Sequence, residues 1–223
     1  MKVHNTSKLY YKKYPFKVET RIKGSHLIRS GADYAIEMCN QRLANNKVYH
    51  YRFRDLNDND ILNLVEFIKS SKKFVEQGIK TRSEWGTFIF YLEDEKTFNK
   101  VVKKVNPWIR SVSKPASKED LEKLLDNKKI TLCNKLPLKK YHYKIFLNRK
   151  MPVHRREKFF EWTKNYGDSI RFSGVSKRWM HGVGWCYDPY MYVEDSKLLL
   201  MVKMSLGENI IKTEEFVLRD TVK

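Results

Sequence analysis

Lys12-Lys13-Tyr14-Pro15-Phe16-Lys17-Val18 in the first half of the chain and Lys139-Lys140-Tyr141-His142-Tyr143-Lys144-Ile145 in the second share one pattern, Lys-Lys-Tyr-x-aromatic-Lys-aliphatic. Alternation of this kind suits a half-buried strand, whose successive side chains point to opposite faces. A second correspondence lies downstream. Phe88-Ile89-Phe90-Tyr91-Leu92-Glu93-Asp94 and Pro189-Tyr190-Met191-Tyr192-Val193-Glu194-Asp195 both read as short strands ending in an acidic pair. Each precedes a helical pattern, with Phe98, Val101, Val102 and Val105 in one and Leu198 to Leu200, Val202 and Met204 in the other. The acidic pair falls where carboxylates favour a helix N-terminus. A last strand follows in each half, Trp108 to Val112 and Ile210 to Leu218.

Tyr141 follows Tyr14 by 127 positions and Tyr192 follows Tyr91 by 101, so the first copy holds 26 more residues between these landmarks. A competing register sets Tyr49-His50-Tyr51-Arg52-Phe53 against Tyr141 to Ile145. The second half reads strand, helix (Val153 to Tyr166), strand (Ser169 to Ser173, extended by Arg178 to Val183), strand (Pro189 to Val193), helix, strand. The first half has the same elements plus one helix, with helical patterns at Ala32 to Leu43 and Asn59 to Lys73, the latter capped by Asp58 or Asn59. The fold expected is α+β, two tandem ferredoxin-like βαββαβ units related by internal duplication. The units are expected at 1–113, with the extra helix, and at 139–223. A linker at 114–138 would carry a short helix from Ser117 to Leu125.

Across its 223 residues the chain has 45 Lys and Arg against 26 Asp and Glu, a formal net charge of +19. Self-repulsion of that size is relieved by a polyanion, which points to nucleic acid ahead of an anionic membrane or an acidic protein. Cys39, Cys133 and Cys186 are far apart and show no C-x-x-C spacing, as expected for thiols in a reducing compartment. The N-terminus has no apolar h-region and no stretch approaches 18 uninterrupted apolar residues. The expected location is therefore cytoplasmic or otherwise intracellular, not secreted, with no membrane span.

The densest basic segment, Lys135 to Lys158, carries nine Lys or Arg against Glu157 alone, +8 within 24 residues. Its Lys139, Lys140, Lys144, Arg149, Arg155 and Arg156 are candidate phosphate contacts. Cations at the start of the Val153 helix oppose its dipole, which favours a bound anion there. In Tyr10 to Lys17 and Tyr49 to Arg54, aromatics alternate with cations, so Lys12, Lys13, Lys17, Arg52 and Arg54 join the candidates, beside rings suited to stacking unpaired bases. Lys177, Arg178 and Trp179 lie in a glycine-flanked stretch that reads as a loop or hairpin. The competing explanation throughout is ordinary: aromatics in the core, cations in water.

No Walker A, G-x-G-x-x-G, G-x-S-x-G, H-E-x-x-H or His/Cys metal pattern is present, so no metal or cofactor is expected. Trp85 to Phe90 lacks the basic-Gly-aromatic-Gly opening of the RNA-recognition motif, and no family is assigned. The reading is a nucleic-acid-binding protein, for single-stranded or structured RNA ahead of DNA, with protein assembly partners admitted. One alternative is a metal-independent endonuclease using His142 or His181, which need leave no linear motif. The other is a structural protein that packages nucleic acid in a virion or ribonucleoprotein.

Overall fold

The alternation at Phe16 to Thr20 does what period two requires: Phe16, Val18 and Thr20 are buried, while Lys17 and Glu19 are half-exposed. In the computed structural model, which describes residues 1–45, 53–84 and 86–219, this segment is a strand of the first of two compact units, Met1–Leu125 and Asp126–Lys223. The first unit runs β1 (Lys2–Asn5), β2 (Phe16–Arg21), α1 (Ala32–Asn45), α2 (Asp58–Glu76), β3 (Lys80–Glu84), β4 (Thr87–Leu92), α3 (Glu95–Val105) and β5 (Ile109–Lys114). Helix α4 (Lys118–Asp126) follows. The second unit runs β6 (Ile130–Cys133), β7 (Tyr143–Leu147), α5 (Val153–Thr163), β8 (Ile170–Phe172), α6 (Gly174–Met180), β9 (Tyr190–Val193), α7 (Ser196–Leu206) and β10 (Ile210–Leu218).

The chain is thus α+β, with two five-stranded mixed sheets of order β1-β5-β2-β4-β3 and β6-β10-β7-β9-β8. Taken strand by strand in chain order, the two orders are the same. β1 runs parallel to β5, as β6 does to β10, and the remaining pairs are antiparallel. The expected landmarks occupy matching places. Lys17 faces Tyr91 across β2 and β4, and Lys144 faces Tyr192 across β7 and β9. Asp94 and Asp195 are the N-caps of α3 and α7, accepting from the Thr97 and Leu198 amides, each at 2.8 Å. The excess of the first copy lies between β2 and β3, where α1 and α2 stand against the single α5 of the second unit, and it is offset in part by α6, which stands between β8 and β9 where only Trp85 and Gly86 separate β3 from β4.

Several expectations need correction. Lys12-Lys13-Tyr14 and Lys139-Lys140-Tyr141 are turns, and the strands begin after them, at Phe16 and Tyr143. Tyr11 and Lys12 have φ of 52° and 58°, and Leu138 and Lys139 have φ of 50° and 70°, a left-handed conformation that ends extended structure. The hydrogen bonds of the two turns also match. Lys12, Lys13 and Tyr14 amides donate to Leu9, Tyr10 and Tyr10 carbonyls, and Lys139, Lys140 and Tyr141 amides donate to Leu136, Pro137 and Pro137 carbonyls. The expected linker supplies β6, which pairs with β10 and so belongs to the second sheet. Arg178 to Val183 is no strand: Ser173 caps α6 there, accepting from the Ser176 amide at 3.1 Å. The cap of α2 is Asn57, one residue earlier than expected, in a capping box with Asp60. Tyr49 to Arg52, and with them most of the competing register, lie outside the described residues.

Each sheet buries one face against its helices. Val18, Phe88 and Phe90 pack with Phe67 of α2 and Val101 of α3 in the first core. Ile145, Met191 and Val193 pack with Phe159, Phe160, Met180 and Val202 in the second. Cys39 and Cys186 are buried and Cys133 half-buried, all as free thiols, and burial pushes the Cys39 thiol up to about 11. Among the described residues no helix is long and apolar enough to cross a membrane.

Candidate nucleic-acid interface

Residues that alternate with the core on the second sheet point to its other face. These are Lys144 and Phe146 on β7, Tyr190 and Tyr192 on β9, Arg171 on β8, and Lys212 and Glu214 on β10. Register gathers them: Lys144 stands opposite Tyr192, Phe146 opposite Tyr190, Arg171 opposite Tyr192 and Lys212 opposite Phe146. The Lys144 ammonium lies 3.9 Å from the Tyr190 ring centre, 4.7 Å from Phe146 and 5.9 Å from Tyr192. The Lys212 ammonium lies 5.0 Å from Phe146 and pairs with Glu214. Rings continue across the face, with Tyr190 and Tyr192 centres 5.5 Å apart and Phe216 6.4 Å from Tyr192. Burial, then the neighbouring Tyr190, pushes the Tyr192 phenol above its ordinary value, so it is neutral at physiological pH. Half-buried rings interleaved with ammonium and guanidinium groups can stack bases and hold phosphates together.

The corresponding face of the first sheet differs in chemistry. Glu19 stands where the second sheet has Phe146, and Ile89 where it has Tyr190. Glu19 accepts ion pairs from Lys17 at 3.3 Å and Arg110 at 3.4 Å. Tyr91 is only 6% exposed, covered by Tyr10, Tyr11 and Tyr14 with ring centres at 5.6, 4.9 and 6.2 Å. Burial and then the hydrogen bond with Tyr11 push the Tyr91 phenol up to about 12. Lys80 and Lys17 stand over Tyr11 and Tyr10, each at 5.4 Å.

The candidates named from sequence scatter over these surroundings. Lys12 and Lys139 are exposed at the tips of the matched turns. Lys13 pairs with Glu93 at 2.8 Å and its counterpart Lys140 with Glu194 at 3.5 Å, so each ammonium is already balanced by a carboxylate. Arg54 and Arg149 are exposed, and Arg52 lies outside the described residues. The dense basic segment is divided by the sheet: Lys144 is on the aromatic face, whereas Arg155 and Arg156 sit on α5, which packs against the opposite face. Arg155 pairs with Glu208 at 3.8 Å. Arg156 donates to the Trp179 carbonyl at 2.6 Å and lies over the Trp179 ring at 4.5 Å.

Lys177 and Arg178 are exposed on α6, but Trp179 is 3% exposed in the core, so no base reaches its ring. The loop reading fails there because Ser173 nucleates a helix whose inward face is Ser176, Trp179 and Met180. Arg178 instead lines a cavity of about 510 Å³ with Ser173, Cys186, Asp188 and Tyr190. His142 is exposed before β7, and His181 ends α6 with its ring 4.4 Å from Phe160. No group of three or more His, Cys, Asp or Glu among the described residues is placed to hold a metal ion.

Sequence reasoning passed over Phe146, Arg171, Tyr190, Tyr192 and Lys212. The signal was present in Tyr190-Met191-Tyr192-Val193, where every second residue is a tyrosine on a strand whose other positions are apolar. Comparison with protein-family models, with curated proteins and with solved structures finds no match.

Proposed function

We propose that this chain binds single-stranded or structured nucleic acid, RNA ahead of DNA, with the aromatic and cationic face of the second sheet as its principal contact. The observation that carries the reading is the grouping of Lys144, Phe146, Tyr190, Tyr192 and Arg171 on one face, by register and without help from the loops. The net charge of +19 supports a polyanionic partner, and the rings favour unpaired bases over a closed duplex. We also infer that each unit is ferredoxin-like and that the two arose by duplication. The support is the shared sheet order, the matched left-handed turns and the matched Lys13–Glu93 and Lys140–Glu194 pairs. An intracellular setting agrees with three free thiols.

The test is a salt titration of binding to labelled single-stranded RNA, single-stranded DNA and duplex, each sample then run on a denaturing gel. Affinity is expected to fall steeply with salt and to favour single strands, with the strands left intact. Absence of binding at low salt refutes the reading. Reproducible cleavage, lost in a His142 or His181 variant that still binds, replaces it with the endonuclease.

A further inference from the structure

The two turns that precede β2 and β7 are the same piece of backbone carrying different side chains. Tyr11 and Leu138 have φ of 52° and 50° and are followed by left-handed Lys12 and Lys139, and the same three amide-to-carbonyl bonds close both turns. Side chains at matched positions therefore leave the backbone in matched directions. On the first turn those side chains are Tyr10 and Tyr11, and both rings pack on Tyr91. Tyr11 meets it edge-on, with ring planes at 89°. On the second turn the counterparts are Pro137 and Leu138; Leu138 is as exposed as Tyr11 but carries no ring to set against Tyr192. Tyr192, the counterpart of Tyr91, is half-buried among Tyr190 and Phe216 of its own sheet and Tyr141, which meets it as Tyr14 meets Tyr91.

We propose that single-stranded nucleic acid stacks on one sheet of this chain only, the second, because Tyr10 and Tyr11 occupy on the first sheet the place that bases take on the second. This rests on the nucleic-acid reading above and specifies which surface serves it. Three differences act together. The turn tyrosines fill the aromatic contact of Tyr91. Glu19 stands where the second sheet has Phe146 and holds Lys17 and Arg110 in ion pairs, so it offers no ring for stacking there. Ile89 replaces the flat ring of Tyr190. Leu138 is the point of control, since an aromatic residue there would stand to Tyr192 as Tyr11 stands to Tyr91.

The experiment uses the full chain and a short single-stranded RNA containing 4-thiouridine. Crosslinking of the wild-type protein followed by peptide mapping is expected to mark β7 and β9 and to leave β4 unmarked. In anisotropy titrations Tyr192→Ala and Leu138→Tyr are each expected to weaken binding by about tenfold, the value of one stacked base. The Leu138→Tyr change asks nothing new of the backbone, because Tyr11 already holds the same φ. Crosslinks on both sheets overturn the proposal. So does a Leu138→Tyr protein of native circular dichroism that binds as tightly as wild type while Tyr192→Ala does not, and in that case the aromatic face itself survives. A wild-type chain that binds no RNA overturns the nucleic-acid reading and this proposal with it.

Discussion

Replacing Lys144 and Arg171 together by glutamine should flatten the salt dependence of RNA binding by a calculable amount. Both lie on the aromatic face of the second sheet, on either side of Tyr192 in the register. Each cation that neutralises a phosphate of a single strand contributes about 0.7 to the slope of log K against log salt, so the pair contributes about 1.4. Over a fourfold rise in salt, wild type should then lose about sevenfold more affinity than the double variant. The figure is an upper value, because Glu214 stands opposite Lys144 and shares its field. Arg155 is the internal control. It sits on α5, which packs against the opposite face of the sheet, so Arg155→Gln should leave the slope nearly unchanged. The assay is fluorescence anisotropy with a labelled single-stranded RNA at several salt concentrations, with circular dichroism to verify folding. An unchanged slope in the double variant, or a slope that falls as much in Arg155→Gln, would refute the assignment of these cations to the phosphate path.

Three further outcomes follow from the fold. Asp94→Ala and Asp195→Ala should each cost about 1 kcal/mol in urea denaturation, since each carboxylate caps a helix in the same way. For Asp94, the Thr97 amide holds the carboxyl below its ordinary value, so its contribution is full above that value and fades as pH falls through the lowered one; the Asp94→Ala deficit should shrink in strong acid. Tyr91 works in the opposite range: its phenol is pushed up to about 12, so above about pH 10 the unfolded chain loses this proton before the folded one does, and stability should decline with rising pH. Tyr91→Phe should remove that part of the decline in thermal melts. Cys39, buried and pushed up to about 11, should resist thiol reagents until the protein unfolds, and mass spectrometry that finds it labelled in the native state would contradict its burial.

The strand landmarks were legible because short-range alternation and capping chemistry are local. Lys17, Tyr91, Asp94 and their counterparts could be aligned from the sequence alone, and register pairs them as that alignment requires. The elements missed were those whose identity depends on partners far along the chain. Strand β6 is four residues in a segment with two prolines, and it is a strand because β10 lies beside it. The turns at Tyr11 and Leu138 hold left-handed residues that are neither Gly nor Asn, so composition gave no warning. The α6 segment, Gly174 to Met180, was hidden by its flanking glycines. Its cap, Ser173, is an ordinary serine until its amide partner is known.

The proposed interface was harder to read than the fold, for a reason in the period-two rule itself. Alternation shows that two faces exist but not which one the helices cover. Tyr141-His142-Tyr143-Lys144 offers tyrosines as the apparent ring set, yet Tyr141 is 1% exposed and its hydroxyl is bound to the Asp168 carbonyl at 2.6 Å. Of the rings that reach the other face, Phe146, Tyr190 and Tyr192 come from two strands separated by α5, β8 and α6, and only the β7–β9 register joins them. Charge density misleads in the same way. The run from Lys135 to Lys158 crosses from one side of the sheet to the other as it passes from β7 into α5, so its cations cannot act as one patch. Of the cations on the aromatic face, Lys144 alone belongs to that run, while Arg171 and Lys212 come from β8 and β10. What assembles the aromatic face of this chain is the pairing of distant strands, and a substitution that shifts the register of β9 by one residue would bury both tyrosines and expose Met191 and Val193 in their place.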